Sequence, residues 1–285
     1  MFAMGQHADE GGGPRLARER GTIITVIAVI GLSVVAWVAI IADAMRAGGA
    51  GMGSSSSTMG DMSMGASGGT SSAPAALTFL IAWGVMMAAM MLPSAAPMIG
   101  LYGAIQRNAG QTGQGGVATG LFALVYVLAW LLFGAPVYGV QVAVNMLVDA
   151  TPALGGLLPY AVAVVLAVAG AYQLSPLKIA CLRACRSPLG FLMARWRAGY
   201  LGAVRLALAH ALYCIGCCWA LMVVLVAAGA MGLHWVLLIA ALVAAEKLAP
   251  GGVVVARVAG VALLLLATVL AINPGIAVAL RGTMV

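Results

Sequence analysis

The residues with the clearest chemistry lie in one apolar stretch, Ala207–Ala228. This stretch is apolar enough to cross a bilayer, yet it carries soft side chains at close spacing, which are His210, Cys214, Cys217, Cys218 and Met222. Positions four apart on a helix turn only about 40° around its axis. Four of these side chains therefore form one slowly drifting row, and Cys217 lies beside it. Each of them can bind a soft metal ion. The alternative is that the thiols pack as small apolar groups at a helix interface.

A second pair of cysteines lies just before this stretch, in a basic segment. Cys181 and Cys185 are one helical turn apart and share a face, and residues 178–205 contain six Lys or Arg and no acidic residue. The pattern predicts a two-thiolate metal site in which nearby cations lower the thiol pKa values. A basic interfacial helix with incidental cysteines is the alternative. The interfacial position of this pair favours two separate thiol sites over one shared four-thiolate site.

Methionines are concentrated in two other segments. One is the polar fragment MGDMSMG, with Met59, Met62 and Met64, and the other is the apolar WGVMMAAMMLPSAAPM, with Met86, Met87, Met90 and Met91. Thioethers are soft ligands that suit Cu(I), so both segments are candidate copper ligands. Pro93 and Pro97 follow the second group and predict a kink beside it. The alternatives are a low-complexity linker and methionines that pack around a bent helix.

Composition sets the class of protein. Hydrophobic residues make up 64% of the 285 residues and charged residues 7%, whereas a soluble domain has about 25% charged residues. The chain is therefore predicted to be an all-α, polytopic transmembrane bundle. The net charge of +7 then indicates topology and lipid contact, not nucleic-acid binding. Five cysteines in two groups, none of them in a long hydrophilic loop, argue against a secreted disulfide framework.

Apolar runs and charge predict about seven spans, with the N-terminus in the cytoplasm and the C-terminus outside. Residues 1–20 are expected to be a cytoplasmic tail and 21–43 the first span. Residues 44–76 form a Met/Ser/Gly-rich extracytoplasmic loop, and 77–285 form a metal-binding-like transmembrane bundle. Glu246 and Lys247 are expected near a membrane boundary, paired with each other.

Three blocks of the sequence, in order, resemble a widespread bacterial family. WGVMMAAMMLP, YQLSPLKIACLRACR and CIGCCWALM lie within roughly residues 77–250 and are similar to uncharacterised proteins known only as predicted metal-binding integral membrane proteins. The resemblance implies metal binding in a bacterial cytoplasmic membrane, without implying a reaction. It places the family pattern on Met86, Met90, Met91, Pro93, Pro176, Lys178, Cys181, Cys185, Cys214, Cys217, Cys218 and Trp219.

Soft ligands favour a membrane protein that handles or delivers Cu(I) over one that handles Zn, Fe or Mn. Its partners would be membrane lipid and a membrane cuproenzyme or other membrane subunits, with no nucleic acid. The alternative is an accessory structural subunit of a larger membrane complex, whose Met and Cys pack helices. A metal-dependent membrane oxidoreductase is less favoured, because the spans offer His210 and little else for acid–base work, and no catalytic residue is predicted.

Overall fold

The computed structural model describes residues 12–49, 73–108, 115–197, 199–227 and 233–273, together with Gly275. Within these ranges the chain is helical and contains no strand. A short 3₁₀-helix at Pro152–Leu157 precedes α4. The α-helices, in chain order, are α1 (Gly12–Gly49), α2 (Ala73–Asn108), α3 (Gly115–Ala150), α4 (Leu158–Leu174), α5 (Pro176–Arg186), α6 (Pro188–Arg195), α7 (Gly199–Ala227), α8 (Leu233–Leu248) and α9 (Gly252–Ile272).

Six of these segments are long and apolar enough to cross a membrane: Ile23–Arg46, Ala73–Gln106, Gly116–Ala150, Ala153–Leu174, Gly199–Ala227 and Gly252–Ile272. The predicted all-α, multi-pass membrane bundle is thus confirmed. The expected span that is not among these six is the sixth, which begins at Val236 and corresponds to α8, a helix of 16 residues. At about 1.5 Å per residue, α8 is shorter than a hydrocarbon core of about 30 Å.

The first helix differs in extent from the predicted span 21–43. It begins at Gly12 and ends at Gly49, so it extends into the segments predicted as tail and loop. Residues 50–72, most of the predicted Met-rich loop, lie outside the described residues.

The two prolines of α2 do not end the helix, which continues from Ala73 to Asn108. Pro93 cannot donate a hydrogen bond to the carbonyl of Ala89, four residues earlier. The Ser33 hydroxyl of α1 donates to this carbonyl instead, at 2.8 Å. A buried carbonyl with no partner is costly in an apolar environment, so this bond fastens α1 to α2 at the site of the lost helical bond.

The most buried helices are α2 and α7. In the most apolar 18 residues of each helix, half are buried in α2 and 56% in α7, against 22% in α1 and in α9. Large side chains fill the space between α2 and α3: Trp83 and Trp130 are each 1% exposed, and the indole nitrogen of Trp83 donates to the Trp130 carbonyl at 3.0 Å. This packing joins α2 to α3, and α3 in turn lies against α7, the helix that carries three of the cysteines.

The basic segment after α4 folds into two short helices. Ser175 caps α5, because its hydroxyl accepts a hydrogen bond from the Lys178 amide at 3.1 Å, and Pro176 occupies the first helical turn, where its missing N–H costs nothing. Pro188 likewise occupies the first turn of α6, where Ser187 makes no side-chain capping bond. The break after α4 allows α5 to lie against α7, which brings the second cysteine pair toward the first group.

Candidate metal centre

Three buried thiols of α7 lie together inside the bundle. The sulfur atoms of Cys214, Cys217 and Cys218 are within 4.8 Å of one another, and each residue is 1% exposed. The Sγ atoms of Cys217 and Cys218 are 3.3 Å apart, and all three cysteines are free thiols. Such a group could hold a soft metal ion within low-dielectric surroundings, where thiol sulfur is the preferred ligand.

A fourth thiol reaches this group from α5. The Sγ of Cys185 lies 3.8 Å from the Sγ of Cys217. The expectation that the two cysteine groups form separate sites is therefore wrong for Cys185. The reason is the break at Ser175, after which α5 lies against α7.

Cys181, one turn earlier on the same helix, has a different environment. Its Sγ packs against Gly216, at 3.1 Å from the position that a Cβ on this glycine would occupy. Burial raises the pKa of the Cys181 thiol, and the attraction of Lys178 offsets this only in part. The expected lowering of the thiol pKa by the basic segment is therefore wrong for this residue, because loss of hydration outweighs the nearby charge.

Lys247 of α8 lies directly at the thiol group. Its Nζ donates to the Sγ of Cys214 at 2.9 Å and to the Ser94 hydroxyl at 3.2 Å. The hydroxyl of Tyr126 is also 2.9 Å from the Cys214 sulfur. The sulfur of Cys214 is therefore contacted by hydrogen-bonding groups from two helices other than its own, α3 and α8.

Glu246 pairs with Lys178 and not with its neighbour Lys247. The Nζ of Lys178 lies 2.6 Å from Oε2 of Glu246, and Gln173 donates to the other carboxylate oxygen at 2.7 Å. Lys178 and Glu246 are both 0% exposed, and the expectation that Glu246 pairs locally with Lys247 is wrong. The ammonium of Lys178 also donates to the carbonyl of Cys217, which ties this pair to the thiol group.

From the sequence, Lys178 lies in a basic segment and in the family pattern, and Glu246, Lys247 and Tyr126 are not assigned to the site. A signal was present, because ionisable residues inside apolar segments are rare and are usually functional or paired. The sequence does not show which partner each has, since the contacts join helices that are distant in the chain, from α2 to α8.

His210 lies outside the group of thiols. Its ring packs against three aromatic rings, those of Tyr126, Phe122 and Phe191, at centroid distances of 5.6, 6.1 and 5.7 Å. The side chain is buried, and its Nδ1 atom has no hydrogen-bond partner. Of the predicted row, Cys214 and Cys218 lie in the thiol group, whereas His210 packs among aromatic rings.

The methionines predicted as ligands are buried wherever the structure describes them. Met86, Met87, Met90, Met91 and Met222 are each at most 3% exposed. The Sδ of Met91 lies 3.8 Å from the Lys247 ammonium, which places this thioether on the side of the site formed by α2. Met59, Met62 and Met64 lie outside the described residues.

A family model described as PpoB2, copper chaperone, matches residues 80–270. No curated protein and no solved structure matches the chain. The match is consistent with the resemblance to metal-binding membrane proteins, and it includes all five cysteines. Copper is the metal that the family and the buried thiols both support. Because the match extends over more than half of its length, the chain belongs to the PpoB2 copper chaperone family.

Proposed function

We propose that this protein holds Cu(I) on the thiols of α7 inside the membrane and delivers it to a membrane cuproenzyme. The observation that carries the proposal is the buried group of Cys214, Cys217 and Cys218, whose sulfur atoms lie within 4.8 Å of one another. Cu(I) is stable with two or three sulfur ligands, and thiolates select it over harder metals.

The charge next to the thiols supports a monovalent ion. The Lys247 ammonium contacts the sulfur of Cys214 at 2.9 Å, so a bound cation would feel its repulsion. Coulomb repulsion scales with the charge of the ion and is about twice as large for a divalent ion as for Cu(I). The hydrogen bond that Lys247 donates to the Cys214 sulfur would also fix the orientation of this ligand.

The methionines are proposed as the route along which copper reaches the thiols. The sulfur of Met91 contacts Lys247, a residue of the site. Met86, Met87 and Met90 lie within two turns of Met91 on α2. With the N-terminus in the cytoplasm, the loop with Met59, Met62 and Met64 would capture copper on the extracytoplasmic side. We place the protein in the cytoplasmic membrane of a bacterium, in contact with lipid.

An accessory structural subunit remains the second candidate, as a part of the same cuproenzyme complex. Packing alone would account for buried Met and Cys. It does not account for a buried lysine that contacts a thiol, because an ionisable group inside a membrane bundle is expensive and usually serves a function. This contact favours copper handling over a scaffold role, and no group in the site is proposed as catalytic.

Metal analysis of the purified protein tests the proposal. The protein is purified in detergent under anaerobic, reducing conditions, loaded with Cu(I) and desalted. We expect about one copper per chain, as a single group of thiols of this size would hold. The double substitution Cys214→Ser/Cys218→Ser should abolish retention, whereas Cys181→Ser should retain it. Absence of copper from the wild type, or full retention by the double variant, would contradict the proposal.

A further inference from the structure

We propose that Cys185 is the exchange ligand, the thiol through which Cu(I) passes between the buried group on α7 and an acceptor outside it. This inference rests on the proposed function and adds a route to it. It assigns different roles to the four thiols of the site: Cys214, Cys217 and Cys218 hold the ion, and Cys185 transfers it.

The first argument is access. Cys214, Cys217 and Cys218 are each 1% exposed, and they lie on α7, one of the two most buried helices. Cys185 is only partly buried, on a short helix that is not among the six membrane-crossing segments. An acceptor that approaches the protein surface would therefore meet Cys185 before any thiol of the group.

The second argument is contact. The Sγ of Cys185 is 3.8 Å from the Sγ of Cys217, and Cys217 is in turn 3.3 Å from Cys218. An ion held by Cys217 therefore needs to move only a short distance to gain Cys185 as a ligand. Cys181, which packs against Gly216 instead, has no such position, although it is on the same helix.

The third argument is that α5 is held at both ends across the thiol group. Near its start, Lys178 binds Glu246. At its end, Arg186 donates to the carbonyls of Glu246 and Pro250, at 2.7 and 3.0 Å. These bonds fix the backbone that carries Cys185, so its thiol is kept at the edge of the group without a rearrangement of the helix.

The transfer itself is a ligand exchange without oxidation or reduction. Cu(I) on Cys217 first gains Cys185 as an additional sulfur ligand, and its bond to Cys217 then breaks. The proton that leaves the Cys185 thiol passes to the Cys217 sulfur, along the contact in which either sulfur can be the donor. Copper remains Cu(I), and the total charge of the site is unchanged.

Kinetics of copper removal tests this assignment. The detergent-purified protein is loaded with one Cu(I) and mixed with an excess of a chromophoric Cu(I) chelator, and the rate is followed by absorbance. Copper content after desalting is measured in parallel. The variants are Cys185→Ser and Cys185→Ala, and the matched control is Cys181→Ser, a thiol removed from the same helix one turn away. Size-exclusion chromatography verifies that each variant is monodisperse.

We expect both Cys185 variants to retain copper as the wild type does, and to release it at least about tenfold more slowly, a barrier increase of about 1.4 kcal/mol. Cys181→Ser should match the wild type in both measurements. Arg186→Met, which frees the end of α5, should also slow release without loss of copper.

Two outcomes overturn the assignment. Release from the Cys185 variants at the wild-type rate would show that the ion leaves by another route. Loss of copper from these variants after desalting would make Cys185 a holding ligand. A wild type that retains no copper would instead contradict the proposed function itself, so the two failures are distinguishable.

Discussion

The ammonium nitrogen of Lys247 lies 2.9 Å from the sulfur of Cys214. In the described part of the chain the one ion pair joins Lys178 to Glu246, so the nearest partners of Lys247 are a thiol, a hydroxyl and a thioether. A buried ammonium without a carboxylate partner is costly. The positive charge of Lys247 therefore lies against the sulfur atoms of the site and not against a carboxylate.

Replacement of Lys247 by methionine should weaken Cu(I) binding, because the loss of the hydrogen bond to the Cys214 sulfur outweighs the relief of the repulsion between the ammonium and a monovalent ion. A hydrogen bond to a charged group contributes about 1.5–3 kcal/mol, so the dissociation constant should rise by roughly one to two orders of magnitude. Competition with a Cu(I) chelator measures it. Ser94→Ala, which removes another contact of Lys247 without a change of charge, serves as the control. Tighter copper binding by Lys247→Met would contradict this role.

The Lys178–Glu246 pair should behave as a buried ion pair does. Lys178→Met leaves the Glu246 carboxylate with Gln173 as its described partner, and we expect a loss of about 3–5 kcal/mol in the free energy of unfolding. The double variant Lys178→Met/Glu246→Leu should recover most of that loss, because no charge is left unpaired. Thermal unfolding in detergent compares the variants. A double variant as unstable as Lys178→Met would show that the pair has a further role in the fold.

Ser33 and Pro93 should be coupled. Ser33→Ala removes the donor to the Ala89 carbonyl and should cost about 1–3 kcal/mol, the cost of a buried acceptor without a partner. Pro93→Ala restores a helical N–H for that carbonyl, so Ser33→Ala should cost less in this background. A double-mutant cycle of thermal unfolding checks the coupling. Additive effects of the two substitutions would mean that the hydroxyl does not replace the lost helical bond.

The absence of a side chain at Gly216 should favour the close approach of Cys181 on α5 to α7. A Cβ at this position would stand 3.1 Å from the Cys181 sulfur, and overpacking of this kind typically costs about 1–3 kcal/mol. Gly216→Ala should therefore lower the thermal stability, and Cys181→Ala in the same chain should restore it. Gly139→Ala, where nothing lies within 4 Å, is the matched control. Equal effects of the two glycine substitutions would remove the steric argument.

Much of the fold follows from the sequence, because apolar length and scarcity of charge determine membrane helices almost alone. The grouping of the α7 thiols could also be predicted, since the spacing of Cys214 and Cys218 on one helix is a local property. The position of Cys185 could not be predicted, because it depends on how α5 packs after the break at Ser175. The partners of Glu246 and Lys247 could not be predicted either, because adjacent residues on a helix point in different directions and each contacts a different neighbouring helix.

The most direct test of the central claim is X-ray absorption at the copper edge of the anaerobically loaded protein. We predict Cu(I) with a first shell of two or three sulfur atoms, retained in Cys181→Ser and lost with the copper in Cys214→Ser/Cys218→Ser. A first shell of nitrogen or oxygen in the wild type, or the same sulfur shell in the double variant, would contradict the claim that the thiols of α7 hold copper.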